Sequence, residues 1–237
     1  MSAFRASSSR LRGFKNISWL TAHQLDKLSK ALTVSTVEKR ETIFDENHLP
    51  DSVYILLSGV ARITSRNRKG QRTLVLIVAP GMVPSFPPPV SGISYDFRCE
   101  AVTGCTTGTI TLESFVEISL GIGAADFMRM AAAYLGHWNF VQLRCPNFMS
   151  CSLEARLALI LLELSETFGV PDAKGTWLTL PIRHRDLAEL VGASRPRVTE
   201  YLVLFEREHL VSRNGRQLVV KRDRLENFLA QASVLRK

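Results

Sequence analysis

The chain of 237 residues has few cysteines and no long apolar run, and these two deficits exclude several classes of protein. Its four cysteines, Cys99, Cys105, Cys145 and Cys151, are too few and too widely spaced for a disulfide scaffold. No apolar run approaches the length of a membrane span, and the basic N-terminus is not followed by the apolar core of a secretory signal. We therefore expect a soluble protein of the reducing cytoplasm with no membrane partner.

Residues typical of catalytic and metal sites are also scarce. Of the five histidines, only His48 falls within residues 38–115, where short strands are expected. In the two close pairs, Cys99/Cys105 and Cys145/Cys151, five residues separate the cysteines, which is longer than the usual zinc spacing. No phosphate-binding loop and no Ser-His-Asp set stands out. We predict that the protein is not an enzyme and has no metal site.

Positive charge is concentrated at the two ends of the chain, whose net charge is +8. Residues 181–237 carry twelve Lys/Arg against seven Asp/Glu, whereas residues 41–180 carry ten against thirteen. Residues 1–12 are rich in Ser and Arg without periodicity, which predicts a disordered arm. A basic C-terminal region next to a mildly acidic middle favours phosphate binding, so double-stranded DNA is the expected partner.

Strand-like runs dominate the first half of the chain. Between Glu38 and Phe115, β-branched and aromatic runs such as 53–57 and 73–78 alternate with Gly, Pro and Asn turn residues. This spacing predicts an antiparallel roll or barrel, preceded by an amphipathic helix from Thr21 to Leu32.

A long helix is expected from Ala124 to Cys145. Its apolar residues recur at alternating steps of four and three, which is the heptad seam of a coiled coil. We expect one side to pack on the roll and the other on a second copy, although burial within a monomer would also satisfy the pattern. The predicted dimer-interface residues are Phe127, Ala131, Tyr134, Trp138, Val141 and Cys145.

The stretch from His184 to Leu204 has the pattern of a helix-turn-helix. Apolar residues recur at helical spacing over 187–191, and Gly192 can supply the positive φ of a sharp turn. Ser194 suits the N-cap of a second helix, and Pro196 suits its first turn. An ordinary helical hairpin with solvated charges is the alternative.

Two strand-like runs follow within residues 210–220, on either side of Asn214-Gly215, which is a strong hairpin signal. A helix-turn-helix followed by a hairpin is a winged helix, with Arg213 and Arg216 at the tip of the wing. The side chains predicted to contact DNA are Arg183, His184, Ser194, Arg195, Pro196, Arg197, Thr199, Glu200, Arg213 and Arg216.

The order of these parts resembles the CRP/FNR family of bacterial transcription regulators. Residues 51–63, DSVYILLSGVARI, are similar to the family's roll signature, and residues 186–195, DLAELVGASR, to its helix-turn-helix signature. The resemblance implies an α+β protein with an N-terminal antiparallel β-roll like a cyclic-nucleotide-binding domain (1–123), a dimerisation helix and hinge (124–147) and a C-terminal winged helix (148–237). It also implies a homodimer on an inverted-repeat operator, with RNA polymerase as a further candidate partner.

Under this resemblance, Arg195, Pro196 and Glu200 hold the positions that most often contact bases. Arg195 would pair with guanine and Glu200 would accept from cytosine N4, while Pro196 offers only van der Waals contact. Arg213 and Arg216 are expected to hold phosphate.

The effector is unknown, and the sequence argues against cyclic AMP. Pro84 and Pro87–Pro89 remove N–H donors from the segment that holds phosphate in cyclic-nucleotide-binding relatives, and Asp96 would repel a phosphate. Cys145-Pro146 resembles the Cys-Pro pair of some haem sensors, but a single dipeptide is weak support for haem. No cysteine precedes Cys99, which argues against an iron–sulfur cluster of the fumarate–nitrate regulator type.

Two functional hypotheses follow. The first is a dimeric, sequence-specific DNA-binding transcription regulator whose roll senses an unknown signal or serves as a constitutive platform. The alternative is a small-molecule-binding signalling module whose winged helix contacts protein. Salt-dependent binding to random duplex distinguishes them, because contacts to phosphate weaken steeply as salt rises.

Overall fold

A computed structural model describes residues 7–14, 17, 20–47, 51–68, 70–85, 97–120, 123, 125, 128, 150–215 and 217–234. The chain divides into two compact units, Met1–Val141 and Gln142–Lys237. The predicted dimer-interface residues and Arg216 lie outside the described residues, so their roles stay predictions.

The N-terminal unit is an antiparallel β-roll with helices at both ends of its sequence. Its elements are α1 (Ser8–Arg12), α2 (Ala22–Ala31), β1 (Thr33–Val37), β2 (Thr42–Phe44), β3 (Ser52–Ser58), β4 (Ala61–Arg66), β5 (Arg72–Val78), β6 (Phe97–Ala101), β7 (Cys105–Thr111) and α3 (Leu112–Leu120). One sheet has the strand order β1-β7-β3 and the other β2-β6-β4-β5. The predicted roll is therefore confirmed.

Two apolar clusters hold the roll together. In the first, Leu28 of α2 packs with Ile55 of β3 and other buried side chains. In the second, Phe44 and Ile63 are buried on the four-stranded sheet, and Phe44 stacks on Tyr54 with ring centroids 5.0 Å apart. Burying these apolar side chains is the main force that stabilises the two-sheet arrangement.

Residues 8–12 form a helix, so the prediction of a disordered arm was wrong for this part of it. The hydroxyl of Ser7 caps the helix by accepting from the backbone N–H of Arg10. Leu11 is fully buried in the first cluster, and the guanidinium of Arg10 donates to the carbonyl of Leu57 at 3.3 Å. A single apolar anchor orders the segment, and its polar composition gave no sign of this.

The C-terminal unit contains the predicted winged helix. Its elements are α4 (Leu153–Phe168), β8 (Gly169–Asp172), β9 (Gly175–Leu178), α5 (His184–Val191), α6 (Arg195–Arg207), β10 (Val211–Asn214), β11 (Gln217–Val220) and α7 (Arg222–Val234). The four strands form one antiparallel sheet in the order β10-β11-β9-β8. The helix-turn-helix is α5 and α6, and the wing is the β10-β11 hairpin.

Three elements differ from the sequence prediction. No strand was predicted at residues 169–172, where Gly169–Asp172 forms an edge strand that pairs with β9. Strand β1 and helix α3 were not expected at all. Within the described part of the chain, no helix is both long and apolar enough to cross a membrane.

Candidate nucleic-acid interface

Helix α5 supplies the apolar side chains that support helix α6, the predicted reading helix. Leu187, Leu190 and Val191 are buried, and Ala188, which is also buried, is small enough for close helix packing. Gly192 follows with φ 64° and ψ 46°, the left-handed conformation that favours glycine. The N–H of Gly192 donates to the carbonyl of Glu189. This turn sets the direction of α6 relative to α5.

Helix α6 has one buried face and one solvent face. Val198, Leu202 and Phe205 point inward and are at most 1% exposed. Ser194 holds the N-cap position, although its hydroxyl makes no capping bond, and Pro196 lies in the first turn, where a missing N–H costs nothing. The predicted DNA-contacting residues that are exposed at this end are Ser194, Arg195, Pro196, Arg197 and Glu200.

Arg195 is an exposed cation of this face. Its side chain is exposed at the N-terminal end of α6, and among the described residues no hydrogen bond or ion pair engages its guanidinium. A guanidinium free of internal partners keeps all of its N–H donors for an external ligand. Its planar fork matches two acceptors side by side, as on guanine or phosphate.

Arg197 and Glu200 interact with each other and with a neighbouring ring. The guanidinium of Arg197 lies 5.2 Å from the ring centroid of Tyr201 and donates to its hydroxyl at 3.2 Å. It also lies 3.5 Å from a carboxylate oxygen of Glu200, whose side chain is 64% exposed. The pair is loose and solvated, so Glu200 can exchange this partner for a donor on a ligand.

The hydroxyl of Thr199 makes its hydrogen bonds within the protein. It donates to the carbonyl of Arg195 at 3.0 Å, and His184 Nδ1 lies 2.9 Å from the hydroxyl oxygen of Thr199. Because the single hydroxyl hydrogen goes to that carbonyl, Nδ1 of His184 must be the donor in the second bond. The bonds fix the tautomer of His184 and tie the start of α5 to α6.

The wing residue Arg213 is bound by an acidic residue of the reading helix. Its Nε donates to Glu206, and its Nη2 lies 3.5 Å from His184 Nε2, which can accept once Nδ1 carries the proton. Sequence reasoning missed Glu206, because seven positions and a change from helix to strand separate it from Arg213. No spacing rule would have paired them.

His184 is disposed to stay neutral. Burial lowers the pKa of His184 below its ordinary value, and the nearby charges of Arg213 and Arg195 lower it further, with Glu206 as a partial offset. At neutral pH the ring is therefore a hydrogen-bonding bridge between α5, α6 and the wing, and adds no charge.

Arg183 has a partner of its own. Two of its guanidinium nitrogens donate to Asp186 at 3.1 and 3.2 Å, and its backbone N–H donates to the same carboxylate at 2.9 Å. These hydrogen bonds raise the pKa of Arg183 above its ordinary value. Its predicted DNA contact remains a prediction, since the guanidinium keeps further N–H donors.

The start of the segment expected to hold an effector is anchored to strand β3. The N–H of Gly81 donates to the carbonyl of Leu56 at 2.7 Å, and the N–H of Leu56 donates to the carbonyl of Met82 at 3.0 Å. Ser85 is fully buried, and its hydroxyl accepts from the N–H of Tyr54 at 2.8 Å. The rest of that segment, 86–96, lies outside the described residues. Within the described part, no group of His, Cys, Asp or Glu side chains could hold a metal ion.

Two family models match the chain. The model described as a cyclic nucleotide-binding domain matches residues 34–120, and the model described as a Crp-like helix-turn-helix domain matches residues 155–228. The first covers most of the roll, and the second covers α5, α6 and the wing.

Similar proteins are spread over several bacteria. The Global nitrogen regulator of Nostoc sp. is 24% identical over 79% of this chain and 84% of its own length. The CRP-like cAMP-activated global transcriptional regulator of Mycobacterium tuberculosis is 25% identical over 81% of this chain and 86% of its own length. The solved structure of FixK2 from Bradyrhizobium japonicum matches with a TM-score of 0.70 and 23% identity, covering 83% of this chain and 96% of that chain.

The two domain models occur in the order of the observed units, and the homologues are DNA-binding transcription regulators rather than enzymes. The FixK2 structure shares the fold over nearly its whole length. The chain therefore belongs to the CRP/FNR family of transcription regulators.

Proposed function

We propose that this protein is a homodimeric transcription regulator that reads an inverted-repeat DNA operator with helix α6. Helix-turn-helix regulators of the CRP family bind DNA and function as dimers. The observation that carries the proposal is the exposed guanidinium of Arg195 at the N-terminal end of α6, which has no hydrogen-bond or ion-pair partner among the described residues. A two-fold dimer would require half-sites about one helical turn apart.

In the proposed complex, the exposed start of α6 enters the major groove. Arg195 donates to two acceptors of guanine, and Glu200 leaves Arg197 to accept from cytosine N4. Pro196 adds van der Waals contact only. Arg216 of the wing contacts phosphate. Arg213 contacts phosphate only after its ion pair with Glu206 has broken.

The roll is proposed not to hold cyclic AMP in the usual manner. The N–H of Gly81 donates to the carbonyl of Leu56, and the N–H of Met82 donates to the carbonyl of Ala79. Pro84 has no N–H, so few backbone donors at the start of the segment are left for a phosphate. The names of some relatives state activation by cAMP, and this is said of those proteins. Calorimetry with cyclic AMP is expected to show no binding at micromolar concentrations, and an affinity in that range would overturn this part of the proposal.

We further propose that the regulator acts in the cytoplasm and contacts RNA polymerase when bound to its operator. The dimer would use the seam of the helix predicted for residues 124–145. The signal sensed by the roll is proposed to be other than cyclic AMP. An absorption spectrum and a denaturing mass spectrum of freshly purified protein would reveal haem or a co-purified small molecule.

A binding selection on randomised duplexes tests the proposal. The wild type is expected to select an inverted repeat, and Arg195→Ala is expected to relax preference at one position of each half-site, at a cost of about 1–3 kcal/mol there. Arg216→Ala is expected to weaken all sequences about equally. Arg222→Ala is the control, because Arg222 of α7 pairs with Glu166 of α4 at 2.8 Å and neither residue lies on α6 or in the wing. If Arg195→Ala keeps the full motif while Arg216→Ala alters it, α6 is not the reading element.

A further inference from the structure

The outermost line of helix α6 runs through residues that the DNA-contact prediction covered only in part. The buried residues Val198, Leu202 and Phe205 define the inner face. At 100° per residue, the opposite side of the helix is centred on positions 196, 200, 203 and 207. All four of these residues are exposed. Any groove that receives the solvent face of α6 therefore meets this line first.

The two flanks of that line are engaged within the protein. On one flank, Thr199 is bonded to His184, and Glu206 is bound to Arg213. On the other flank, Arg197 stacks on Tyr201. On the central line, the side chain of Glu200 makes only the loose 3.5 Å pair with Arg197 among the described residues, and the third member, Val203, is 49% exposed.

An exposed valine on a protein surface ordinarily needs no explanation. Among the described residues, four large hydrophobic side chains are exposed: Val116, Met128, Val170 and Val203. Val203 is set apart by its place, because it lies on the central solvent-facing line one turn after Glu200. The other described exposed valine of this unit, Val170, lies on the edge strand β8.

The geometry points to Val203 as a reader of the thymine methyl group in the operator, an inference that rests on the proposed function. Thymine C5-methyl is the apolar feature that the major groove presents, and valine can recognise it by exclusion of water. Val203 lies about 4.5 Å further along the helix axis than Glu200, which is close to the ~3.4 Å between stacked bases. Val203 therefore reads the base pair next to the one that Glu200 faces.

The test replaces thymine by uracil, which removes only the methyl group. In the operator obtained by selection, each thymine is replaced in turn by deoxyuridine, and affinities are measured for wild type, V203A and V170A. For the wild type, uracil at one position of each half-site is expected to lower affinity about fourfold, the value of one buried methyl group. Each single uracil removes one of the two methyl contacts, whereas V203A removes both, so V203A is expected to bind the thymine operator about 16-fold more weakly and to be indifferent to the uracil.

V170A is the matched control, since it shortens another exposed valine of the same unit (53% exposed) away from α6, and it is expected to match the wild type. The inference is overturned if the wild type tolerates uracil at every position, or if V203A keeps the full wild-type penalty. Failure of the proposed function would look different, because no duplex would then be enriched over random DNA and there would be no operator to substitute. That result would overturn both.

Discussion

Replacing Glu206 by glutamine is expected to release the wing arginine. In the free protein, the guanidinium of Arg213 is bound to Glu206, and it also lies 3.5 Å from His184 Nε2. Both partners of the ion pair are partly solvated, with side-chain exposures of 44% and 32%. Glu206→Gln preserves length and hydrogen-bonding capacity but removes the charge that neutralises Arg213, so the wing gains one cation for phosphate.

The size of the effect follows from counterion release. One additional phosphate contact steepens the plot of log affinity against log salt by about 0.9. Each protomer of the proposed homodimer gains one such contact, so the slope steepens by about 1.8, and between 50 and 200 mM salt E206Q is expected to lose about 12-fold more affinity for duplex than the wild type loses. At the low-salt end, E206Q is expected to bind more tightly. Fluorescence anisotropy of a labelled duplex across this range measures both quantities.

Two further variants separate this reasoning from a general effect of charge. Glu166→Gln makes the same change of charge at a residue paired with Arg222, and it is expected to leave the slope unchanged. In E206Q/R213A, the slope is expected to fall back to the wild-type value, because the released cation is gone. A wild-type slope in E206Q, or an equal rise in E166Q, would refute the reasoning.

Three other outcomes are expected. Because the pKa of His184 is lowered in the folded state, the unfolded chain binds more protons as pH falls through about 6.5, and acid therefore destabilises the fold. H184N is expected to remove this part of the pH dependence, which is measured as unfolding midpoints from about pH 7.5 to 5.5. Trp138→Glu is expected to give monomers in sedimentation, because an unpaired charge in the seam is costly, and an unchanged dimer would contradict the seam. Gly59 has φ 84°, and a Cβ there would lie 2.4 Å from the carbonyl oxygen of Gly104, so G59A is expected to lose more than about 2 kcal/mol of unfolding free energy. G70A, at φ 75° with open space around it, is expected to lose only about 1 kcal/mol of unfolding free energy. Equal losses in the two variants would show that the close contact at Gly59 does not matter.

The winged helix could be predicted because its determinants are local. Gly192 adopts the left-handed conformation that its position between two helical patterns demanded. The wing hairpin forms as predicted, but its turn begins at Gly215, one residue later than the Asn214-Gly215 signal indicated, because Asn214 is the last residue of β10 and pairs with Gln217. Each signal acts within a few residues, where backbone sterics and side-chain periodicity decide the outcome.

The missed elements depend on partners far along the chain. Strand β1 pairs with β7, Thr33 lying opposite Thr109, and none of its residues is fully buried, so it lacks the clean alternation of a half-buried strand. Strand β8 contains Pro171, which demotes a strand prediction, yet an edge position tolerates proline. Leu11 of α1 is buried against side chains of α2 and β3, and Arg10 donates to the carbonyl of Leu57, so no window of twelve residues contains the information that orders this helix.

The candidate reading surface shows the same division between residue types, which the sequence reveals, and contact partners, which depend on the tertiary fold. The sequence located the cations and the polar side chains near α6, but chemistry at such a surface depends on which of them are already occupied. Arg195 and Arg213 are both arginines near the predicted groove, and only the tertiary contacts separate a free guanidinium from one bound to Glu206. The same contacts turn Thr199 toward His184 and leave the line of Glu200 and Val203 facing solvent. Specificity in this chain is therefore expected to depend on residues that the internal hydrogen bonds leave unused, and these could be identified only after the fold had assigned the others.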